Sequence, residues 1–363
     1  VPTTLSPRAL NRALNRALNR ALLARQLLLE RAAGPSVAAA LTAVAGLQAQ
    51  APRAPYVALW SRLAAFAPSA LEDLLVERGA VRTWLMRATV HLVTARDAVA
   101  WAPVFAEVRA RRFAASPFAR QLAGLDLDAV AETIHALLDE APRTRPELAR
   151  ALAERWPDRD VEALGYVVAY RGLVVQPPPR GRWTESGPAR LAPMATWIGA
   201  AGEAASPAEI LRRGLAAFGP ATAADLTTWS GMSGVAGALR ELDLVTFSDA
   251  RGRELLDLPD APRPDERTAA PPRFLPEYDN ALLSHADRAR IIDVPRRVPL
   301  PPGNGGTCGT LLVDGFWRAT WRVDGATLRV ERFAPWASTH DRAVMREAEA
   351  LMAFLGADDV VLA

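Results

Sequence analysis

Between Ser206 and Leu258 the apolar positions recur at helical spacing in three successive blocks and then switch to strand-like runs. Ser206-Pro207 predicts a helix start, with Ser as cap and Pro in the first turn; the helix runs to about Phe218 and Gly219-Pro220 ends it. A second helix is expected from about Thr222 to Trp229, and a turn at Gly231-Met232-Ser233 leads to a third, Val235 to Leu242. Leu244–Phe247 and Glu254–Leu258 read as paired strands across a turn at Asp249–Gly252. Helix, helix, turn, helix, hairpin is the order of a winged helix-turn-helix.

The order recurs upstream. Leu127–Leu138 is an apolar-periodic helix, Thr144 caps a second that carries Pro146 in its first turn and reaches Trp156, and Val161–Tyr170 is a third, ended by Gly172. Leu173–Gln176 and Arg182–Thr184 are expected to pair across a stiff, basic tip, Pro177–Gly181. The start of the chain reads as a modified third copy. Helices are expected over about Leu10–Arg31, Ser36–Ala45, Pro55–Phe66 and Ser69–Glu77, a hairpin from Arg82–Met86 and Thr89–Val93, and a helix from Ala95 to Arg112. Near the C-terminus, Leu311–Val313, Phe316–Val323 and Thr327–Phe333 are short strands separated by Asp314-Gly315 and Asp324-Gly325, and Ser338–Leu355 is a closing helix. The predicted fold is therefore α+β and mostly α. Three tandem winged helix-turn-helix units occupy 1–115, 116–203 and 204–258, a Pro-rich linker 259–272, and a small antiparallel β element with its closing helix 273–363.

One stretch departs from this grammar. Ala-Leu-Asn-Arg repeats from Ala9 to Arg20, which puts Leu on one slowly drifting helical stripe and Arg on another. Such a helix either offers its arginines to phosphate or is a repeat that lengthened an ordinary helix; the second reading is the simpler.

Composition narrows the chemistry. All 43 basic residues are Arg, set against 40 acidic ones, for a net charge of +3. Arginine's planar fork suits phosphate and guanine edges, so the composition permits nucleic-acid binding without requiring it. One cysteine, Cys308, excludes an intrachain disulfide and a Cys-based zinc site, and His91, His135, His285 and His340 lack metal-ligand spacing. No metal and no cofactor are expected. No apolar run is long enough for a membrane span, so no membrane partner is expected and the cytoplasm is the default location. Three DNA-binding units in one chain could surround a duplex without a partner, which favours a monomer.

No phosphate-binding Gly loop and no Ser/His/Asp spacing is present. The remaining candidate is Gln48-Ala49-Gln50, in Gly46–Pro52, followed by Pro55-Tyr56 and Leu59-Trp60. With Arg82–Thr89, His91–Val93, Leu275–Asn280, Ser284-His285, Asp287-Arg288 and Val313–Phe316, this series resembles the tandem winged-helix DNA glycosylases of the AlkZ type along nearly the whole chain. The resemblance implies a C-shaped arrangement of the units with the Gln-aliphatic-Gln motif on the concave side. It also implies excision of N-alkylated purines from double-stranded DNA, unhooking of interstrand crosslinks, and self-resistance to azinomycin-like alkylating antibiotics. Gln48 and Gln50 are then the catalytic pair; another branch of the family has Asp at the second position, and this chain does not.

The choice of Gln has its own consequence. Its amide accepts and donates hydrogen bonds but does not titrate near neutrality. It can hold a water for attack on C1′ yet cannot take the proton as a carboxylate would. The leaving group must then already be good, as a purine carrying positive charge from N7 or N3 alkylation is. DNA contacts are expected from Arg53, Arg87, His91, Arg180, Arg182, His285, Arg288, Arg318 and Arg322. The competing readings are a non-catalytic winged-helix regulator and a protein that sequesters the alkylating drug.

Overall fold

The structure, a computed structural model, describes residues 7–185, 187–199, 202–249, 251–298 and 307–363. The first unit runs helix, strand, helix, helix, hairpin. A helix at Val37–Ala43, capped by the Ser36 side chain, leads into a two-residue strand, β1 (Leu47–Gln48). Helices at Ala54–Arg62 and Pro68–Val76 follow, then the hairpin β2 (Ala80–Trp84) and β3 (Val90–Thr94). The second unit repeats the plan. A helix at Leu127–Glu140 leads to β4 (Arg143–Thr144), then come helices at Arg145–Arg155 and Val161–Arg171, and β5 (Val174–Val175) and β6 (Arg190–Pro193). Thr144 caps its helix through a reciprocal pair of hydrogen bonds with Glu147, which fixes where β4 stops and the helix starts.

The two units fuse into one sheet of order β1-β3-β2-β5-β6-β4, joined where Thr83 of β2 pairs with Val175 of β5. The same strand order runs outward from that junction on both sides. β1 and β4 therefore hold equivalent edges, and the residues just after them, Ala49-Gln50 and Arg145-Pro146, hold equivalent positions.

Two expectations are corrected here. The partner of β5 is β6, at 190–193, and not Arg182–Thr184. The intervening segment instead folds back on the first unit. The Glu72 carboxylate accepts from the backbone N–H groups of Trp183 and Thr184 at 2.8 and 3.1 Å, and the Tyr56 hydroxyl donates to the Gly181 carbonyl at 2.8 Å. The helix expected over Ala95–Arg112 is two, Ala95–Trp101 and Phe105–Ala114, because Pro103 has no N–H to continue the first.

The third unit follows its sequence closely, with helices at Pro207–Phe218, Ala223–Ser230 and Val235–Leu239 and the hairpin β7 (Val245–Ser248) and β8 (Glu254–Asp257). Ser206/Glu209 and Thr222/Asp225 cap the first two helices reciprocally. Ala250, in the β7–β8 turn, lies outside the described residues. The C-terminal sheet runs β13-β12-β11-β10-β9, from β9 (Arg273–Leu275), β10 (Gly309–Val313), β11 (Phe316–Asp324), β12 (Thr327–Arg332) and β13 (Asp359–Leu362). The helix Asp341–Leu355 does not close the chain; it crosses over so that β13 pairs parallel to β12 in an otherwise antiparallel sheet.

The Pro-rich 259–272 segment is not a free tether. The N-terminal helix, Pro7–Arg25, pins it through Arg25 Nε to the Pro262 carbonyl (3.2 Å) and Arg20 Nε to the Thr268 carbonyl (2.7 Å). The repeat in that helix is put to packing. Arg16 and Arg20 both pair with Asp314, and buried Asn19 donates to the Gly315 carbonyl at 2.7 Å. Gly315 is required there, since a Cβ would sit 2.2 Å from Asn19 Oδ1. One apolar core includes Leu22, Val81, Phe105, Leu215, Leu275 and Trp317, so the units are welded rather than strung.

Candidate active site

The equivalent edges β1 and β4 face one cleft of about 740 Å³. Gln48 and Gln50 line one side; Thr144, Arg145 and Pro146 line the other. Across it the helix Val161–Arg171 contributes Tyr166 and Tyr170, and the loop after β9 contributes Tyr278. Five arginines, Arg82, Arg87, Arg112, Arg145 and Arg180, line the cleft, and among the described residues no Asp, Glu or His does. A concave surface with one sign of charge focuses its field and concentrates anions.

The motif is held rigidly up to its last residue. The Ala49 N–H donates to the Val90 carbonyl at 2.8 Å, and the Ala49 carbonyl accepts from Arg82 Nη2 at 2.8 Å. Arg82 also reaches Gln176 Oε1 of the second unit at 3.3 Å, which ties the two cleft walls together. Gln48 stands opposite His91 in the β1–β3 register and is only 8% exposed. Its Oε1 accepts from Arg87 Nη2 at 2.8 Å. Gln50 lies beyond the strand, exposed to the cleft, and its amide makes no hydrogen bond among the described residues. One glutamine is thus fixed, and the other is available to water or substrate.

Arg87 is the hub beneath them. Its Nη2 also donates to Asn280 Oδ1 at 2.8 Å and approaches His91 Nε2 at 3.4 Å, while Nη1 donates to the Trp229 carbonyl at 2.7 Å. Burial brings the guanidinium down to about 10, still charged at neutral pH. Burial and the neighbouring Arg87 charge push His91 down to about 3, so its ring is neutral. Since the Thr89 carbonyl can only accept, His91 Nδ1–H donates to it at 3.0 Å, which leaves the unprotonated Nε2 facing Arg87.

Several expected DNA contacts are placed elsewhere. His91 is fully buried, and so is His285, whose Nε2 lies 2.9 Å from the Phe218 carbonyl; neither ring is at the surface. Arg87 is spent on internal acceptors. Arg182 pairs with Glu185 and, at 3.5 Å, with Glu72, so its charge is met within the protein. Arg318 forms a two-pronged pair with Asp293 at 2.5 and 2.9 Å, and Arg322 pairs with Glu331 at 2.7 Å; both are on β11, outside the cleft. Arg180 does line the cleft, Arg53 is exposed with its guanidinium 5.0 Å from the Trp183 ring centre, and Arg288 is half-buried with its Nε unpaired among the described residues.

The sequence reading missed Arg112, Arg145, Tyr166, Tyr170 and Tyr278. Arg145 stacks on Tyr166 at 3.9 Å, and Tyr166 stacks on Phe118 at 3.9 Å. A signal for Arg145 was present: it directly follows the Thr144 cap, as Ala49 follows Gln48. Only the shared strand order makes that parallel visible.

The buried histidines set an acid limit. Unfolded, each would protonate near 6.5; folded, each stays neutral down to about 3. The unfolded chain therefore binds more protons in that window, so stability is full above about pH 6.5 and falls as pH drops toward 3. Above the carboxylate range, between about pH 6.5 and 4.5, each histidine contributes a slope of up to about 1.4 kcal/mol per pH unit. Denaturant melts across that range should show this slope, and His285→Gln should reduce it; a stability flat from pH 7 to 5 would contradict the burial of both rings.

Over residues 41–354 the chain matches the family described as AlkZ-like, DNA glycosylase AlkZ-like. Its fold is similar to that of Streptomyces sahachiroi DNA glycosylase AlkZ, with a TM-score of 0.74 and 21% identity, covering 97% of this chain and 99% of that one. No curated protein sequence matches it.

Proposed function

The chain belongs to the AlkZ-like DNA glycosylase family and is a DNA glycosylase, a hydrolase of N-glycosyl bonds, and on that premise we propose that it excises cationic purines, alkylated at N7 or N3, from double-stranded DNA. Unhooking of interstrand crosslinks is part of the same reading, as self-resistance to a DNA-alkylating antibiotic. The observation that carries it is the free amide of Gln50 in an arginine-lined cleft without a carboxylate.

In the step proposed, the C1′–N9 bond breaks and its electron pair goes to the base, which leaves neutral because it began cationic. A water held by the Gln50 carbonyl forms the new C1′–O bond and releases its proton to solvent. The sugar passes through an oxocarbenium-like state that needs little help from a base. The sequence holds no lysine, which argues against a lyase step through a lysine Schiff base at C1′ and for an intact abasic strand as product. Arg112, Arg145 and Arg180 supply phosphate contacts along the cleft. Its breadth suits a crosslinked purine, which stays tethered to the opposite strand and cannot be extruded freely as in ordinary base flipping.

The test is direct. End-labelled duplex carrying N7-methylguanine, and duplex crosslinked by a nitrogen mustard, are incubated with the protein and treated with alkali. Scission at the lesion and release of uncrosslinked strands are expected. No scission above background, together with tight binding to one undamaged sequence, would instead mark a regulator.

A further inference from the structure

We propose that Arg87 is a positioning residue that makes Gln48 a hydrogen-bond donor to the substrate, leaving Gln50 as the one glutamine that accepts from water. The inference rests on the excision reading above and assigns different roles to two residues that the motif presents as a pair.

A guanidinium has five N–H donors and no acceptor. An amide 2.8 Å from Arg87 Nη2 must therefore turn its oxygen toward it, so the orientation of Gln48 is dictated by chemistry. The same holds for Asn280, whose Oδ1 also lies 2.8 Å from Nη2; its Nδ2 is left to face the Gly46 carbonyl at 3.4 Å, just before β1. Arg87 thus turns the oxygens of both amides, Gln48 and Asn280, toward itself.

Gln48 Nε2 makes no hydrogen bond among the described residues, and the residue lines the cleft. What it can offer there is N–H. The other lone pair of Oε1 belongs to an oxygen already polarised by a full positive charge, which makes it a poor partner for a water that must become more nucleophilic. A donor backed by that charge suits an acceptor atom of the bound nucleotide: a purine ring nitrogen, a carbonyl or a phosphate oxygen. Gln50 has neither constraint, so its carbonyl remains able to accept from water.

The lock is built from separate parts of the chain. Arg87 lies in the β2–β3 turn at φ 57°, a left-handed conformation that side chains other than glycine disfavour. It reaches β1 through Gln48, β3 through His91, the third unit through the Trp229 carbonyl, and the segment after β9 through Asn280. Gln48 is thereby aimed by three regions of the protein at once.

Gln48→Glu decides the matter, because it keeps the shape and the Arg87 contact but presents an oxygen where the amide presented N–H. Single-turnover excision of N7-methylguanine should fall by about 10²- to 10³-fold, the cost of one preorganised donor. DNA affinity should fall far less than the rate, and the melting temperature should be unchanged or higher. Gln48→Glu that stays within about threefold of wild type, or gains rate as pH rises, would overturn the proposal, since then Gln48 works as an acceptor. Arg87 itself gives a second arm. Arg87→Met should lower the rate on bound DNA with affinity unchanged, and Arg87→Lys, which keeps a charged donor on Oε1, should recover part of the loss. If both variants instead weaken DNA binding while bound DNA reacts at the wild-type rate, Arg87 is a phosphate contact and the positioning role is wrong. A wild-type protein that releases no base overturns the excision reading and this inference with it. Wild-type excision matched by Gln48→Glu overturns the inference alone.

Discussion

Gln50→Ala is expected to lower single-turnover excision of N7-methylguanine by about 10²- to 10³-fold while leaving the fold and DNA affinity intact, a magnitude typical of losing one preorganised polar group at a reacting centre. The expectation follows from how differently the two glutamines are held. Gln50 is exposed and makes no hydrogen bond among the described residues, so its truncation removes no internal contact. Substitutions of that kind usually shift stability by no more than about 0.5 kcal/mol. Gln48→Ala is different. It takes an acceptor from the buried face of Arg87, so it should lower the melting temperature as well as the rate. A rate lost without stability at position 50, and a rate lost with stability at position 48, is the signature. Excision at the wild-type rate by the double variant would remove both residues from the chemistry.

The fold was legible wherever caps and breakers punctuate it. The third unit was readable because Ser206-Pro207, Gly219-Pro220 and Gly231 mark its helix ends, and the structure uses Ser206 and Thr222 as reciprocal caps. What could not be read were the elements too short to carry a period. β1 and β4 are two residues each, and two residues cannot show strand alternation. The equivalence of the Gln edge of the first unit with the Thr144-Arg145 edge is therefore not visible in the sequence. Burial misled in a related way. All five residues of β3 are buried because the sheet is covered on both faces, so a polar residue in it, His91, is not a surface residue. The Gln pair was found through its resemblance to a family. The arginines and tyrosines around it are far apart in sequence, and only the junction of β2 with β5 assembles them.

The second large effect concerns the leaving group. N7-methylguanine should be excised at least about 10³-fold faster than an uncharged lesion such as 1,N6-ethenoadenine in the same duplex context, because general-base help, worth about 10² to 10⁴, is not on offer to the poorer leaving group. The same reasoning fixes the pH profile. Burial brings the cleft-lining Arg82 and Arg87 guanidinium groups down only to about 10, and it pushes the Tyr170 and Tyr278 hydroxyls up from their ordinary value. His91, next to the motif, is protonated only near 3. The rate on N7-methylguanine should therefore be flat from about pH 6.5 to about 9, with loss below about pH 6.5 reflecting the stability of the fold. Gln50→Glu supplies the contrast. A carboxylate at that exposed position can take a proton from water, so the variant should gain a rate that rises with pH through the carboxylate range and should narrow the gap between charged and neutral lesions. A wild-type profile with an inflection near neutrality, or equal rates on the two lesions, would require a titrating base in the cleft. The proposed selectivity for damaged DNA would then have a simple physical origin: a site without a general base is harmless to intact purines, whose neutral form makes them poor leaving groups.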